Sequence, residues 1–143
     1  MRPFPFKSGP GWKNVAGMTD FVSTYIPDLK HERKLSLLCG DKAVVVSKVT
    51  GTVQGPPPPR ISILQSLLGF NPQQEQEVPF FPGIPASTVS GKQFETIAID
   101  VQRVRDEKIS QSWHLTDWAS AADQLVNDAP PQDFGFSPDY AQF

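Results

Sequence analysis

The sequence predicts an α+β fold, a cone-shaped roll in which helices cover a curved antiparallel sheet. Three observations predict it. Strand-like segments occur in two adjacent pairs, 30–39 with 42–53 and 94–104 with 109–115. A helix-like segment precedes the first pair, and another follows the second. A curved sheet covered by helices leaves a cone-shaped cavity, which is a natural ligand site.

The first half of the chain contains one helix and one hairpin. Apolar residues recur with a helical period from Val15 to Tyr25, and Pro27 ends that helix. Residues 30–39 alternate loosely, and Gly40-Asp41 is typical of a hairpin turn. Residues 42–53 form a β-branched run, which predicts a strand.

The second half ends in another hairpin and a helix. Four prolines at 56–59 interrupt the chain, a short helix is expected over 61–70, and residues 71–91 resemble a long loop. A loop of that length in a compact domain usually lines a site or an interface. Beyond it, the patterns predict strands over 94–104 and 109–115, a turn at 106–108, and a helix over 118–126.

Length and composition set the broad class. A chain of 143 residues is one domain by length, and we assign residues 1–126 to it. Residues 127–143 form a Pro-rich tail with three Phe and one Tyr, either disordered or packed on a neighbour. The net charge of −2 indicates no nucleic-acid partner, and no apolar run approaches the roughly 20 residues that span a membrane. The lone Cys39 favours a reducing, cytoplasmic location.

The segment 108–125 concentrates the residues that could do chemistry. It places Trp113, His114, Asp117 and Trp118 within six positions, where a strand meets a helix. The sequence contains no metal-ligand cluster and no phosphate-binding loop, so we expect neither a metal nor a cofactor.

The orientation of these side chains follows from strand alternation. Trp113, Leu115 and Asp117 share one face, and His114 lies on the other. With Trp113 and Asp117 toward the cavity, His114 would face outward. On residue type alone, Asp117 fits a helix N-cap as well as a catalytic acid or base.

The ordered motifs resemble those of the SnoaL-like polyketide cyclases, within the nuclear-transport-factor-two-like superfamily. The last strand and helix of that family commonly read G-K-I-v-e-x-W-x-v-x-D-w and then Q-L. The matches here are Lys108-Ile109, Trp113-His114, Asp117-Trp118 and Gln124-Leu125. Earlier matches are Pro27-Asp28-Leu29, Gly40 to Val45, Thr50-Gly51-Thr52, Phe81 to Pro85, Gly91-Lys92 and Asp100 to Val104.

The resemblance implies a curved-sheet fold and a set of site residues. It implies that Asp117 is the general acid/base. His114 is a second catalytic candidate because the titration range of His suits proton transfer. Together with the strand alternation and the residue types, the resemblance predicts a substrate pocket formed by Trp113, Leu115, Arg103, Asp100 and Phe81. Arg103 lies near the position where the family carries a supporting His. Asp100 and Arg103 also fit a structural ion pair or a solvated sheet face.

Two departures from the family pattern bear on the pocket. The N-terminal helices of the family are shortened or absent in this sequence, so we expect the pocket to be open or completed by another chain. The insertion at 56–90 is longer than the usual connection, and we expect a lid or a substitute wall there. The missing N-terminal cover, the open sheet and the aromatic residues of the tail favour a homodimer.

The resemblance predicts a cofactor-independent cyclase or isomerase of secondary metabolism. It would move a proton by acid/base chemistry on a polyketide-like or terpenoid-like substrate, small and hydrophobic or aromatic, in an apolar cavity. Two alternatives stay open. One is a non-catalytic small-molecule-binding or assembly module on the same fold. The other is an epoxide or ester hydrolase, which would need a second carboxylate facing Asp117, such as Asp100.

Overall fold

Four antiparallel strands, paired in chain order, form one sheet in this computed structural model. The structure describes residues 11–55, 67–69, 77–131 and 135, and for 11–16 only the backbone. The strands are β1 (Lys30–Cys39), β2 (Lys42–Thr52), β3 (Gln93–Arg105) and β4 (Lys108–Thr116). The helices are α1 (Gly11–Tyr25), α2 (Ala86–Val89) and α3 (Trp118–Asn127).

The predicted α+β class is confirmed. Both hairpins, the helix before the first pair and the helix after the second occur as expected, with ends shifted by a few residues. The proline run at 56–59, most of the predicted helix over 61–70 and most of the tail lie outside the described residues. None of the described helices is long and apolar enough to cross a membrane.

One face of the sheet, the inner face, carries the helices. Its members alternate along each strand, and the buried Val49, Phe94 and Ala98 identify it. Val22 of α1 and Ala121 and Leu125 of α3 join the same hydrophobic core. Burying a side chain the size of valine, leucine or phenylalanine stabilises the fold by roughly 1.5–3 kcal/mol.

Residues 77–91 are more ordered than the long loop that the sequence predicted. They contain the short helix α2 and an isolated bridge between Glu77 and Pro85. Within this segment the hydrophobic side chains Val78, Phe80, Phe81 and Val89 are buried in the core. Their burial provides the free energy that holds this segment against the sheet.

Two motifs that resemble the family pattern, Pro27-Asp28-Leu29 and Thr50-Gly51-Thr52, lie next to each other, one after α1 and the other at the end of β2. Both carboxylate oxygens of Asp28 accept hydrogen bonds from Thr52, one from its backbone N–H and one from its hydroxyl, each at 2.7 Å. These bonds lower the pKa of Asp28. Between these residues, a Cβ on Gly51 would lie 2.5 Å from the side chain of Ile26, so a larger residue would displace that contact. The hydrogen bonds of Asp28 and the lack of a side chain at Gly51 therefore explain why these two motifs lie together in the fold.

The first half of β3 extends beyond the end of β4. There, a side chain of α3 provides hydrogen-bond partners for backbone groups of β3 that no strand pairs with. Gln124 accepts a hydrogen bond from the Glu95 N–H at 2.9 Å and donates one to the Glu95 carbonyl at 2.7 Å. The next residue, Leu125, is fully buried in the core. The Gln-Leu pair thus closes a strand edge with one residue and anchors the helix with the other.

Candidate functional site

His114 is held on the inner face of the sheet by two hydrogen bonds. It lies directly opposite Asp100 in the β3–β4 register. Its Nδ1 is 2.6 Å from Asp100 Oδ1, and its Nε2 is 2.8 Å from Thr116 Oγ1. Two positions along β3, Ala98 is fully buried and points the same way. The expectation that His114 faces outward was therefore wrong.

The contact with Asp100 indicates which tautomer the neutral imidazole of His114 adopts. A carboxylate only accepts hydrogen bonds, so Nδ1 carries the proton and donates it to Asp100. Nε2 then has a lone pair, and the Thr116 hydroxyl donates to it. The side chains of Asp100 and His114 are 24% and 34% exposed, so the pair is partly shielded from water. An imidazole oriented in this way is suited to take up a proton at Nε2.

A second imidazole lies close to this pair. The rings of His31 and His114 have centroids 6.2 Å apart and planes inclined by 51°. His31 is on β1 and His114 on β4, and three strand spacings in a flat sheet amount to about 14 Å. The sheet is therefore concave on this side, and its curvature brings the two edge strands together.

Two effects lower the pKa of His31. The larger is desolvation by the surrounding protein, and the nearby His114 adds to it, while the charge of Asp100 acts in the opposite direction. The residue as a whole is nevertheless exposed to solvent, so this desolvation is partial. It has no hydrogen-bond partner among the residues that the structure describes. His31 is therefore favoured as a neutral imidazole with free nitrogen atoms.

Asp117 caps a helix. It is the N-cap of α3, and its Oδ1 accepts a hydrogen bond from the Ser120 N–H at 3.0 Å. Its backbone is anchored separately, since its N–H donates to the Ile97 carbonyl at 3.0 Å and its carbonyl accepts from Thr96 Oγ1 at 2.8 Å. This geometry supports the capping interpretation of Asp117. The catalytic role implied by the family resemblance stays a prediction.

The comparisons with known proteins bear on the fold. No family model matches the chain, and no curated protein does. Solved structures do match. A candidate SnoaL-like polyketide cyclase from Jannaschia sp. CCS1 is 17% identical with a TM-score of 0.56, and the match covers 89% of this chain and 68% of that one. The chain has the SnoaL-like fold.

Two further structures are similar in fold. TsrD from Streptomyces laurentii is 23% identical with a TM-score of 0.53, over 89% of this chain and 73% of TsrD. IdmH from Streptomyces antibioticus, described as a candidate polyketide cyclase, is 19% identical with a TM-score of 0.51. That match covers 79% of this chain and only 62% of IdmH. At these identities the likeness concerns the fold.

Within this SnoaL-like fold, three of the expected pocket residues lie on the outer face. Trp113 is 42% exposed and Leu115 69% exposed. Arg103 places its guanidinium carbon 5.8 Å from the Trp113 ring centroid, and its Nε is 3.3 Å from Asp41 Oδ2. Alternation along β4 holds as expected, but the faces are exchanged. These three residues therefore do not line the concave side, and of the expected pocket residues on the strands only Asp100 does.

The fifth expected pocket residue, Phe81, is part of an aromatic cluster. It is 1% exposed and packs edge-to-face against Phe94 and Trp118, with centroids 6.4 and 5.8 Å away. Phe80 stacks on Trp118 with centroids 4.9 Å apart. This cluster lies in the core, so Phe81 is a packing residue in the described structure.

A groove of about 590 Å³ lies away from the two imidazoles. Its lining includes Asp28, Thr50, Thr52, Gln93, Glu95 and Asp128. The three acids in it already have partners, because Asp28 bonds to Thr52, Glu95 pairs with Lys48 at 2.7 Å and Asp128 pairs with Lys92 at 3.3 Å. The groove thus has volume but no free reactive group, and we place the candidate site at His114.

Sequence reasoning missed two members of the site. Neither His31 nor Thr116 was among the expected site residues. Their signal is visible only once the strand pairing is known, because His31 lies opposite Val49 and Thr116 opposite Ala98, both in the inner set. Among the described residues, no group of three or more His, Cys, Asp or Glu is arranged to hold a metal ion.

Proposed function

We propose that this protein is a cofactor-independent cyclase or isomerase that moves a proton on a small hydrophobic, polyketide-like or terpenoid-like substrate. The observation that supports this most directly is the 2.6 Å contact between His114 Nδ1 and Asp100 on the concave face of a SnoaL-like fold. General bases of this kind accelerate proton transfer by about 10²–10⁴-fold when they are within hydrogen-bond reach of the substrate.

The proposed role of His114 is that of the general base. A substrate carbon acid displaces the Thr116 hydroxyl from Nε2 and gives its proton to that nitrogen. Asp100 holds the ring in the tautomer that leaves Nε2 unprotonated and stabilises the imidazolium that forms. The same imidazolium then returns the proton to the product. In this scheme Asp117 supports the site by starting α3.

The proposed site is apolar on the β2 side. Val45 lies opposite Asp100 in the β2–β3 register and on the same face. An apolar neighbour that partly shields the pair from water strengthens the electrostatic interaction between the imidazolium and the carboxylate. It also suits a hydrophobic substrate such as an aromatic polyketide.

A binding module on the same fold is the second candidate. It is favoured by the bond between His114 Nε2 and Thr116, because both ring nitrogens then have partners within the chain. A hydrolase that uses Asp100 and Asp117 as paired carboxylates has less support, since Asp117 Oδ1 is occupied by the cap of α3.

The test is ring opening of a nitrobenzisoxazole, a flat aromatic probe that releases a coloured phenolate when a base removes its ring carbon proton. We expect saturable turnover by the wild-type chain and a loss of about 10²-fold or more in His114→Gln. Asp100→Asn should lose part of the rate, because the amide can hold the ring in the wrong tautomer.

The matched control is Ser110→Ala, on the same strand as His114 but near the turn. Its hydroxyl donates to the Arg103 carbonyl, and turnover should stay within about twofold of wild type. Binding of the probe without turnover would favour the binding module. Full turnover by a folded His114→Gln variant would contradict the proposed base.

A further inference from the structure

The unpartnered imidazole of His31 faces the proposed base across the concave sheet. The ring centroids of His31 and His114 are 6.2 Å apart. The charged and titratable groups around His31 are His114 on β4, Asp100 on β3, and Arg33, whose register position on β1 is on the same face. On β2, the residue opposite His31 is the apolar Val49.

We propose that His31 is a second catalytic residue, which donates a hydrogen bond to a substrate carbonyl oxygen while His114 removes the adjacent carbon proton. This inference rests on the proposed function. It also names the substrate class, a β-dicarbonyl compound. Two flanking carbonyl groups make a carbon acid strong enough for an imidazole base, whereas a single carbonyl leaves too unfavourable a proton transfer.

The separation of the rings fits this substrate. From standard bond lengths, an acidic carbon and its carbonyl oxygen are about 2.4 Å apart. Contacts of about 3 Å at each end require two ring nitrogens roughly 5–8 Å apart, depending on angle. The observed distance of 6.2 Å joins the ring centroids rather than nitrogen atoms, and it is compatible with nitrogen separations in that range.

The proton and electron balance needs no further reactant. The C–H bond breaks and the proton goes to His114 Nε2. The electron pair forms a C=C bond, and the π pair of the carbonyl moves to oxygen, which accepts the N–H of His31. The enolate carbon then attacks a second carbonyl of the substrate, or it is reprotonated at another position. His114 returns the proton, and His31 is unchanged.

A neutral imidazole is the appropriate donor for this step. Its N–H stabilises the developing enolate oxygen without giving up a full proton, as neutral imidazoles do in enolising enzymes. The lowered pKa of His31, caused first by desolvation, keeps the ring neutral near pH 7. The absence of a hydrogen-bond partner among the described residues leaves that N–H free for substrate.

Two probes separate the roles of the two imidazoles. Nitrobenzisoxazole ring opening needs a base but has no carbonyl oxygen to hold. Exchange of the single α-proton of an α-methyl acetoacetate ester with deuterated water needs both. We expect His31→Leu to slow ester exchange by roughly 10-fold or more while ring opening changes by less than about threefold.

Conservative replacement provides a second measurement. His31→Gln keeps an N–H donor, so it should recover part of the ester exchange that His31→Leu loses. Lys30→Gln, the neighbouring change on the opposite face of β1, should match wild type on both probes. Thermal melts confirm that each variant is folded.

The outcomes distinguish the two proposals. If the wild-type chain turns over neither probe, the proposed function fails and this inference fails with it. If ring opening depends on His114 but His31→Leu leaves ester exchange unchanged, or slows both probes equally, the function stands and the role of His31 is overturned. Equal loss in the Gln and Leu variants also counts against hydrogen-bond donation.

Discussion

The role of Asp117 can be decided by comparing two substitutions. Asp117→Ala removes the acceptor for the Ser120 N–H, a bond of 3.0 Å at the start of α3. The backbone bonds of Asp117 to Ile97 and Thr96 do not depend on its side chain and should survive. The expected loss is thus that of one N-cap, about 1 kcal/mol, or roughly 3–5 °C in Tm for a chain of this size.

Asp117→Asn should behave differently from Asp117→Ala. Asparagine caps helices nearly as well as aspartate, so its stability should stay within about 0.5 kcal/mol of wild type. If Asp117 acts only as a cap, ring opening by the Asn variant should remain within about threefold of wild type. Urea denaturation followed by circular dichroism measures stability, and probe turnover is measured on the same samples. A folded Asn variant that has lost about 10²-fold or more in turnover would refute the capping interpretation and restore the catalytic one.

Three further predictions follow from described contacts. Gln124→Glu should cost about 2–4 kcal/mol near neutral pH, because a carboxylate would replace the donor to the Glu95 carbonyl; urea titration should show recovery on acidification, which Gln124→Met should lack. Since the pKa of His31 is lowered, the unfolded chain binds its proton more readily, and stability should fall as the pH drops from about 7 towards 5. His31→Gln should reduce that slope in melts across pH, and an unchanged slope would contradict the assignment. The wild-type chain should be a homodimer through the outer face of β2, β3 and β4, and Leu115→Glu should dissociate it in light scattering; a wild-type monomer at micromolar concentration would refute this.

Local signals were sufficient to predict most of the described fold. Pro27, Gly40-Asp41 and the turn after Arg105 set the ends of elements, and the β-branched run of β2 identified its strand. In each case the cause lies within a few residues of the effect, so the sequence alone carries it. The long loop was assigned less accurately, because the burial of Phe80 and Phe81 depends on Trp118, far along the chain.

The choice of face at His114 could not be made from the same signals. A two-residue period separates Trp113 and Leu115 from His114, and that separation is observed. The period does not state which set faces the helices. Asp117 was used to decide, but it follows the end of β4, and its side chain is directed by the cap of α3. A residue outside the strand was thus an unreliable guide to the orientation of residues within it.

The position of His31 depends on a single irregularity in β1. Counting back from the hairpin turn without a break would pair His31 with Thr50, which points outward. The register shifts between Arg33 and Leu35, so His31 instead lies opposite Val49, on the inner face. A bulge of one residue reverses the face of every side chain before it. Because of this register shift, sequence reasoning did not place His31 on the concave side. The curvature of the sheet then brings the His31 ring close to that of His114. The fold is shared with proteins of low identity, whereas the contact of His114 with Asp100 and the position of the His31 ring beside it come from this chain's own side chains and register, and the function has to be tested there.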